Sequence, residues 1–195
     1  MRSRAAVLIL GVVLVAGCGE DKPLTSEQVL AEARALDKPQ PGLYATTTRL
    51  IAFEVPGLPP EQADRIRQQM TGLTSEPQPQ CLTRQQAERG FEDMLRQIGE
   101  GINGQQCAFT AFDTDGSRLS ASLSCSGAAG VRAEAKFAGM SETDGFDLAM
   151  DLEARNALIP GGSMTMRFTV KADRIGDCTA ADTSKSPSGN SATAD

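Results

Sequence analysis

The residues of this chain best placed to do chemistry are its five cysteines, at positions 18, 81, 107, 125 and 178 of 195. Histidine is absent. That removes the Ser-His-Asp and Cys-His nucleophile systems and every histidine-based metal site. An enzyme built on this chain would have to work with carboxylates, Lys, Tyr or a Ser-Lys pair. No pair of carboxylates stands out for glycosidase-type acid–base work. We therefore expect a non-enzymatic protein with no cofactor, no metal and no catalytic residue. What remains for sulfur is acylation and disulfide formation.

Cys18 closes the run Leu14-Val15-Ala16-Gly17-Cys18. Ahead of it stand Arg2 and Arg4, then an apolar stretch from Ala5 to Ala16 broken only by Gly11. This is the three-part pattern of a secretory leader, and it is too short for a spanning helix, which needs about 20 residues. Small residues ending on cysteine resemble a bacterial lipobox. On that reading the mature chain starts at Cys18, carries diacylglycerol and an amide-linked acyl chain such as palmitate, and is held at a membrane outside the cytoplasm. At ~0.8 kcal/mol per buried CH₂, several chains make a stable anchor. Gly19, rather than Asp, follows the cysteine. The expected location is the periplasmic face of the envelope, with the outer membrane favoured over the inner.

An oxidising compartment gives the other four cysteines a meaning. They form no Cys-x-x-Cys pair, so a four-thiolate zinc site is disfavoured and two disulfides are expected, with three connectivities open. Hairpin register selects one. The segment Asp113-Thr114-Asp115-Gly116-Ser117 is a turn signal. Reflecting the chain about Gly116 sets Cys107 opposite Cys125, Phe109 opposite Leu123 and Ala111 opposite Ala121, all on one face. Cys107–Cys125 follows, and Cys81–Cys178 by elimination.

Those cysteines must be positioned by strands and helices, and the periodicity shows both. Residues 25–36 carry a capping box (Thr25, Gln28) and an apolar stripe of Val29, Leu30, Ala33 and Leu36. We read this as a short helix within a linker. Residues 43–55 read as a strand with Leu43, Ala45, Ile51, Phe53 and Val55 on one face. Residues 61–72 read as an amphipathic helix with Ala63, Ile66 and Met70 inward. A second capping box (Thr83, Gln86) opens one helix to about Ile98, with Ala87, Phe91, Leu95 and Ile98 inward. From Gln105 the period becomes two, giving a meander with one dry and one wet face. On the wet face, charge suggests register: Lys136 opposite Asp147 and Arg132 opposite Asp151, then Arg167 opposite Asp151 and Lys171 opposite Asp147.

Composition narrows the partners. Net charge is −6, and becomes two units more negative once Arg2 and Arg4 leave with the leader. That argues against nucleic acid and against a polybasic lipid patch. With no Trp and one Tyr, a base- or sugar-stacking platform is not expected. Asp113-Thr114-Asp115-Gly116 superficially resembles a calcium loop, but Ser117 and Ser124 stand where an EF-hand needs acids. Met140, Met150, Met164 and Met166 are candidates to line a pliable apolar pocket, against ordinary core packing. Pro56-Gly57-Leu58-Pro59-Pro60 is a sharp break that redirects strand into helix, with a recognition loop as the alternative.

Several short motifs follow in a distinctive order: Pro41-Gly42-Leu43-Tyr44, Phe53-Glu54-Val55-Pro56-Gly57-Leu58-Pro59, Cys81-Leu82-Thr83, the two hairpin cysteines, and Arg174-Ile175-Gly176-Asp177-Cys178. In this the chain resembles the proteobacterial domain of unknown function numbered 3617, from about Pro39 to Cys178. Tyr44 departs from the pattern, since Trp is common at that place. The resemblance implies a small periplasmic or lipoprotein domain with paired cysteines, and it carries over no activity.

The expected fold is α+β: a curled antiparallel meander sheet of about six or seven strands with two amphipathic helices on its apolar face. The expected organisation is a signal peptide (1–17), a lipidated linker with a short helix (18–41), one domain (42–178) and a disordered polar tail (179–195). The expected function is a lipid-anchored envelope protein holding an apolar ligand or lipid between sheet and helices. The alternative is an interaction module of an outer-membrane complex, with an envelope protein as partner.

Overall fold

Alternation from Gln106 onward builds five consecutive antiparallel strands in this computed structural model, which describes residues 22–74, 76–101 and 104–183. They are β3 (Gln106–Asp115), β4 (Arg118–Ser126), β5 (Arg132–Glu142), β6 (Gly145–Arg155) and β7 (Ser163–Gly176); β1 (Gly42–Glu54) and β2 (Gln78–Leu82) precede them. The sheet has seven strands in the order β2-β1-β7-β6-β5-β4-β3. The N-terminal strand thus returns beside the last one. Helices α1 (Ser26–Ala33), α2 (Pro60–Thr74), α3 (Arg84–Arg89), α4 (Glu92–Glu100) and the single turn α5 (Ala180–Thr183) complete the fold. It is the expected α+β architecture. Cys18 and the leader lie outside the described residues, as does the tail beyond Thr183.

Both disulfides are present, the one expected from hairpin register and the one expected by elimination. Cys107 faces Cys125 across the β3–β4 hairpin with Cα atoms 4.0 Å apart. Cys81 on β2 joins Cys178 just past β7 with Cα atoms 5.6 Å apart.

Three local readings are corrected. In β3, Phe109 faces Leu123 but the next partnered residue is Ala111, opposite Ser122. Thr110 is the extra residue of a bulge, and a bulge exchanges the faces beyond it. Phe112, not Ala111, therefore faces Ala121 and is buried. In β1 a similar irregularity between Leu50 and Ala52 leaves Ile51 without a partner and 55% exposed. Tyr44, not Ala45, shares the inward face with Phe53. Third, the helix opened by Thr83 is not continuous. Gly90, at φ +58°, ends α3, and α4 restarts after Phe91. The left-handed conformation suits glycine and interrupts the helical ladder.

Wet-face charge was a poor guide between β5 and β6. Lys136 faces Asp151, Met140 faces Asp147, and Arg132 faces Arg155. The tight turn at Thr143 and Asp144 sets this register by closing Glu142 on Gly145. The dry face agrees, placing Ala135 opposite Leu152 and Phe137 opposite Met150. Between β6 and β7 the expected pairs are present: Asp151 with Arg167 and Asp147 with Lys171.

The core lies at the β3–β5 side of the sheet. Val29 and Ala33 of α1 and Leu95 of α4 pack with Phe109, Phe112, Leu123 and Ala135 into one buried cluster. The helix read as part of a linker therefore belongs to the folded domain. The Leu24 N–H donates to the Phe109 carbonyl (2.7 Å), and the Lys38 ammonium donates to the Glu88 carbonyl (2.9 Å). Helix α2 packs on β1 instead. There the Arg67 guanidinium donates to the Phe53 carbonyl (3.0 Å), at the end of β1 that β2 does not reach.

Candidate functional site

Helix α4 turns Leu95 into the core, with Phe91 and Ile98 half-buried beside it. This i, i+4, i+7 spacing gives the helix one apolar side. Glu92 and Asp93 in the first turn complement the helix dipole, and Gly101 at φ +104° ends the helix. Met94 lies off the apolar stripe and is 47% exposed.

Beneath α4 runs a crevice of about 110 Å³. Its wall is Leu36 and its roof is Phe91, Met94 and Ile98; its floor comes from β3 to β6, Phe137 and Leu148 among them. Nearly every lining side chain is hydrocarbon or thioether. The polar exception is Ser141, which is 3% exposed. Such a lining offers water few hydrogen-bond partners and suits an apolar group. The crevice is of the same order as the ~150 Å³ dry cavities that take up benzene or xenon, and smaller than the ~300–1,000 Å³ of drug-sized ligand sites. The inward side chains of β6 and β7 beyond it, such as Met150 and Met166, are only half-buried.

The expected methionine cluster is divided. Met150, Met164 and Met166 lie on the inner face, while Met140 lies on the outer face, 43% exposed. None of the four lines the crevice; its one methionine is Met94. Asp115 and Gly116 sit in the β3–β4 turn, and among the described residues no group of three or more His, Cys, Asp or Glu could hold a metal. The Pro56–Pro60 segment links β1 to α2.

The outer face is a polar surface. Arg167 pairs with Asp151 (2.5 Å), Arg155 with Glu153 (2.6 Å) and Lys171 with Asp173 (2.7 Å). The hydrogen bond to Asp173, helped by its charge, holds Lys171 above the usual lysine value, and Glu153 acts likewise on Arg155. These pairs are exposed, so each contributes little stability. A depression of about 420 Å³ on this face is lined by Glu54, Glu134, Lys136, Asp151, Glu153 and Arg167 among others.

Tyr44 is a buried polar residue that the sequence reading left unassigned. Its hydroxyl donates to the Gln40 carbonyl (2.7 Å) and lies 3.3 Å from the Thr143 carbonyl. Arg174 donates to the Pro41 carbonyl (3.0 Å) and also bonds Asp177. Together they fasten the start of β1 to the β5–β6 turn.

A single seven-stranded sheet, two disulfides and an apolar crevice under one short helix define the class: a small disulfide-stapled α+β domain. The chain belongs to the family described as protein of unknown function DUF3617, whose model matches residues 39–178. No curated protein and no solved structure matches it. The match begins after α1 and Leu36, so the wall of the crevice and part of the core come from chain outside the matched segment.

Proposed function

We propose that this protein is a lipid-anchored, non-enzymatic component of the bacterial envelope that holds an apolar group between α4 and the sheet. The observation that carries the reading is the crevice, where hydrocarbon side chains from α4 and four strands enclose about 110 Å³. Burial of apolar surface contributes roughly 25 cal/mol per Å², so a small hydrophobe or the end of an acyl chain gains by entering. Its size disfavours a whole lipid. The half-buried inner faces of β6 and β7 offer a path along which a longer chain can lie. Anchoring rests on Cys18 and the leader, and two disulfides accord with an oxidising compartment.

The test is native mass spectrometry of an exported Cys18→Ser chain. An added mass that is lost on denaturation supports the crevice reading, and its chemistry names the ligand class. A bare mass sinks that reading. It would shift weight to an interaction module, for which the polar depression on the outer face is the candidate surface. The mass of the N-terminal peptide from the unaltered chain reads the anchor separately.

A further inference from the structure

The sheet has two chemically opposite ends. Antiparallel pairing of Ser126 with Arg132, of Arg155 with Ser163 and of Glu54 with Thr165 brings three loops to one end: 55–59, 127–131 and 156–162. None of the three contains Asp, Glu, Lys or Arg. Their only polar side chain is Asn156, and it is used internally. Asn156 donates to the Ala129 carbonyl (3.0 Å) and accepts from the Leu158 N–H (2.7 Å). Loops 55–59 and 156–162 meet backbone to backbone, since a Cβ on Gly57 would lie 2.2 Å from the Gly161 nitrogen. The result is a preformed platform with Leu158 86% exposed at its surface. A single exposed leucine needs no explanation. Three interlocked loops without a charge among them do, because exposed connections ordinarily carry polar side chains.

At the other end, Asp115, Glu142, Asp144, Asp173 and Asp177 stand in or beside the turns, with Arg118 and Arg174 among them. Immediately behind the apolar platform charges of both signs return, with Glu54, Glu134 and Glu153 close to Arg132 and Arg155. Arg132 and Arg155 are direct partners on β5 and β6. Like charges placed opposite one another are destabilising unless a counter-charge is present. Glu153 answers Arg155, while Arg132 has no ion-pair partner among the described residues. The described chain also begins at this end. Leu24 is fixed to Phe109, and α1 then runs toward Thr114, whose hydroxyl bonds Glu32 (3.1 Å). Residues 22–24 therefore enter α1 from the platform side. Fully extended, the six residue-to-residue steps from Cys18 to Leu24 span at most about 20 Å.

From these observations we infer that the loop platform is a membrane-docking surface, which seats Leu158 among the lipids of a bilayer. Uncharged apolar loops enter the headgroup boundary, and the acidic end points away. The N-terminal clause of this argument rests on the anchor reading; the loops and their charges do not.

The chain has no tryptophan, so Leu158→Trp and Thr143→Trp place a single reporter at either end. Both side chains are exposed, which protects folding. Each full-length protein is mixed with vesicles of phosphatidylethanolamine and phosphatidylglycerol, with and without brominated acyl chains. The expected result is blue-shifted emission at position 158, quenched by the brominated chains, with emission at 143 unchanged. If the protein floats with vesicles while the residue 158 reporter stays aqueous, the platform proposal is overturned and the anchor stands. If it does not float and neither reporter is quenched, the proposal is again overturned, and the N-terminal mass decides the anchor independently. A concentration-dependent shift at 158 without lipid quenching overturns it in favour of a protein partner.

Discussion

Tyr44 is joined to Thr143 across 99 residues of sequence, its hydroxyl lying 3.3 Å from the Thr143 carbonyl while it donates to Gln40 at 2.7 Å. The Gln40 N–H in turn donates to the Thr143 carbonyl (2.7 Å). The start of β1 and the β5–β6 turn are thus held by one buried phenol and one backbone bond, with Arg174 adding its bond to Pro41.

Burial raises the Tyr44 phenol above its ordinary value; the Arg174 guanidinium opposes that shift and the Asp144 carboxylate adds to it. The folded state therefore holds the phenolic proton more tightly than the unfolded chain. The resulting stability is fully present below the unfolded value of about 10 and is lost as pH rises through the folded value. Since Tyr44 is the only tyrosine, absorbance titration of the phenolate reads it directly. Its midpoint should lie above that of the denatured chain. Tyr44→Phe should remove this alkaline dependence and cost about 0.5–1.5 kcal/mol at neutral pH. An ordinary midpoint would contradict the account.

Leu36 tests whether α1 and its continuation belong to the domain. Its side chain is 5% exposed and walls the crevice, although it precedes the family-matched segment. Leu36→Ala should cost about 2–5 kcal/mol in urea denaturation, the range for a buried leucine. A residue in a loose tether would stay within about 0.5 kcal/mol. The same substitution enlarges the crevice, so any ligand bound there should change in affinity.

Much of the fold was legible because its signals were redundant. Period two, a turn at Gly116 and two cysteines all specify the β3–β4 hairpin, and they agree. The bulges at Thr110 and Ile51 were not legible. One extra residue exchanges the faces of all that follows, and nothing in local composition marks it, so Phe112 and Tyr44 were assigned outward. Register between β5 and β6 was misjudged because it was read from exposed charges, whose pairing contributes only about 0.2–1 kcal/mol. Apolar packing and the turn outweigh that. Gly90 stood inside a good helical pattern, and only its positive φ reveals the break. The stripe of α1 was legible, but a stripe does not say what it meets. Met94 was not legible as a lining residue of the crevice, because it lies off the helix stripe that periodicity detects.

The two disulfides should differ in consequence. Cys107–Cys125 closes a separation of 18 residues inside a hairpin whose strands already pair along their length. Cys81–Cys178 closes a separation of 97. It also secures β2, an edge strand that pairs with β1 over five residues only. Chain entropy gives about 3 kcal/mol for a 15-residue loop and about 4.7 for a 100-residue one. Paired replacement of Cys81 and Cys178 by Ala should therefore lower the urea midpoint more than paired replacement of Cys107 and Cys125. Hydrogen exchange adds a local signature. Without the long bridge, amides of β2 should lose protection first, while those of β3 and β4 keep theirs. Equal losses from both pairs, or β2 protection that survives, would mean that β2 is held by its ladder with β1 and not by the bridge.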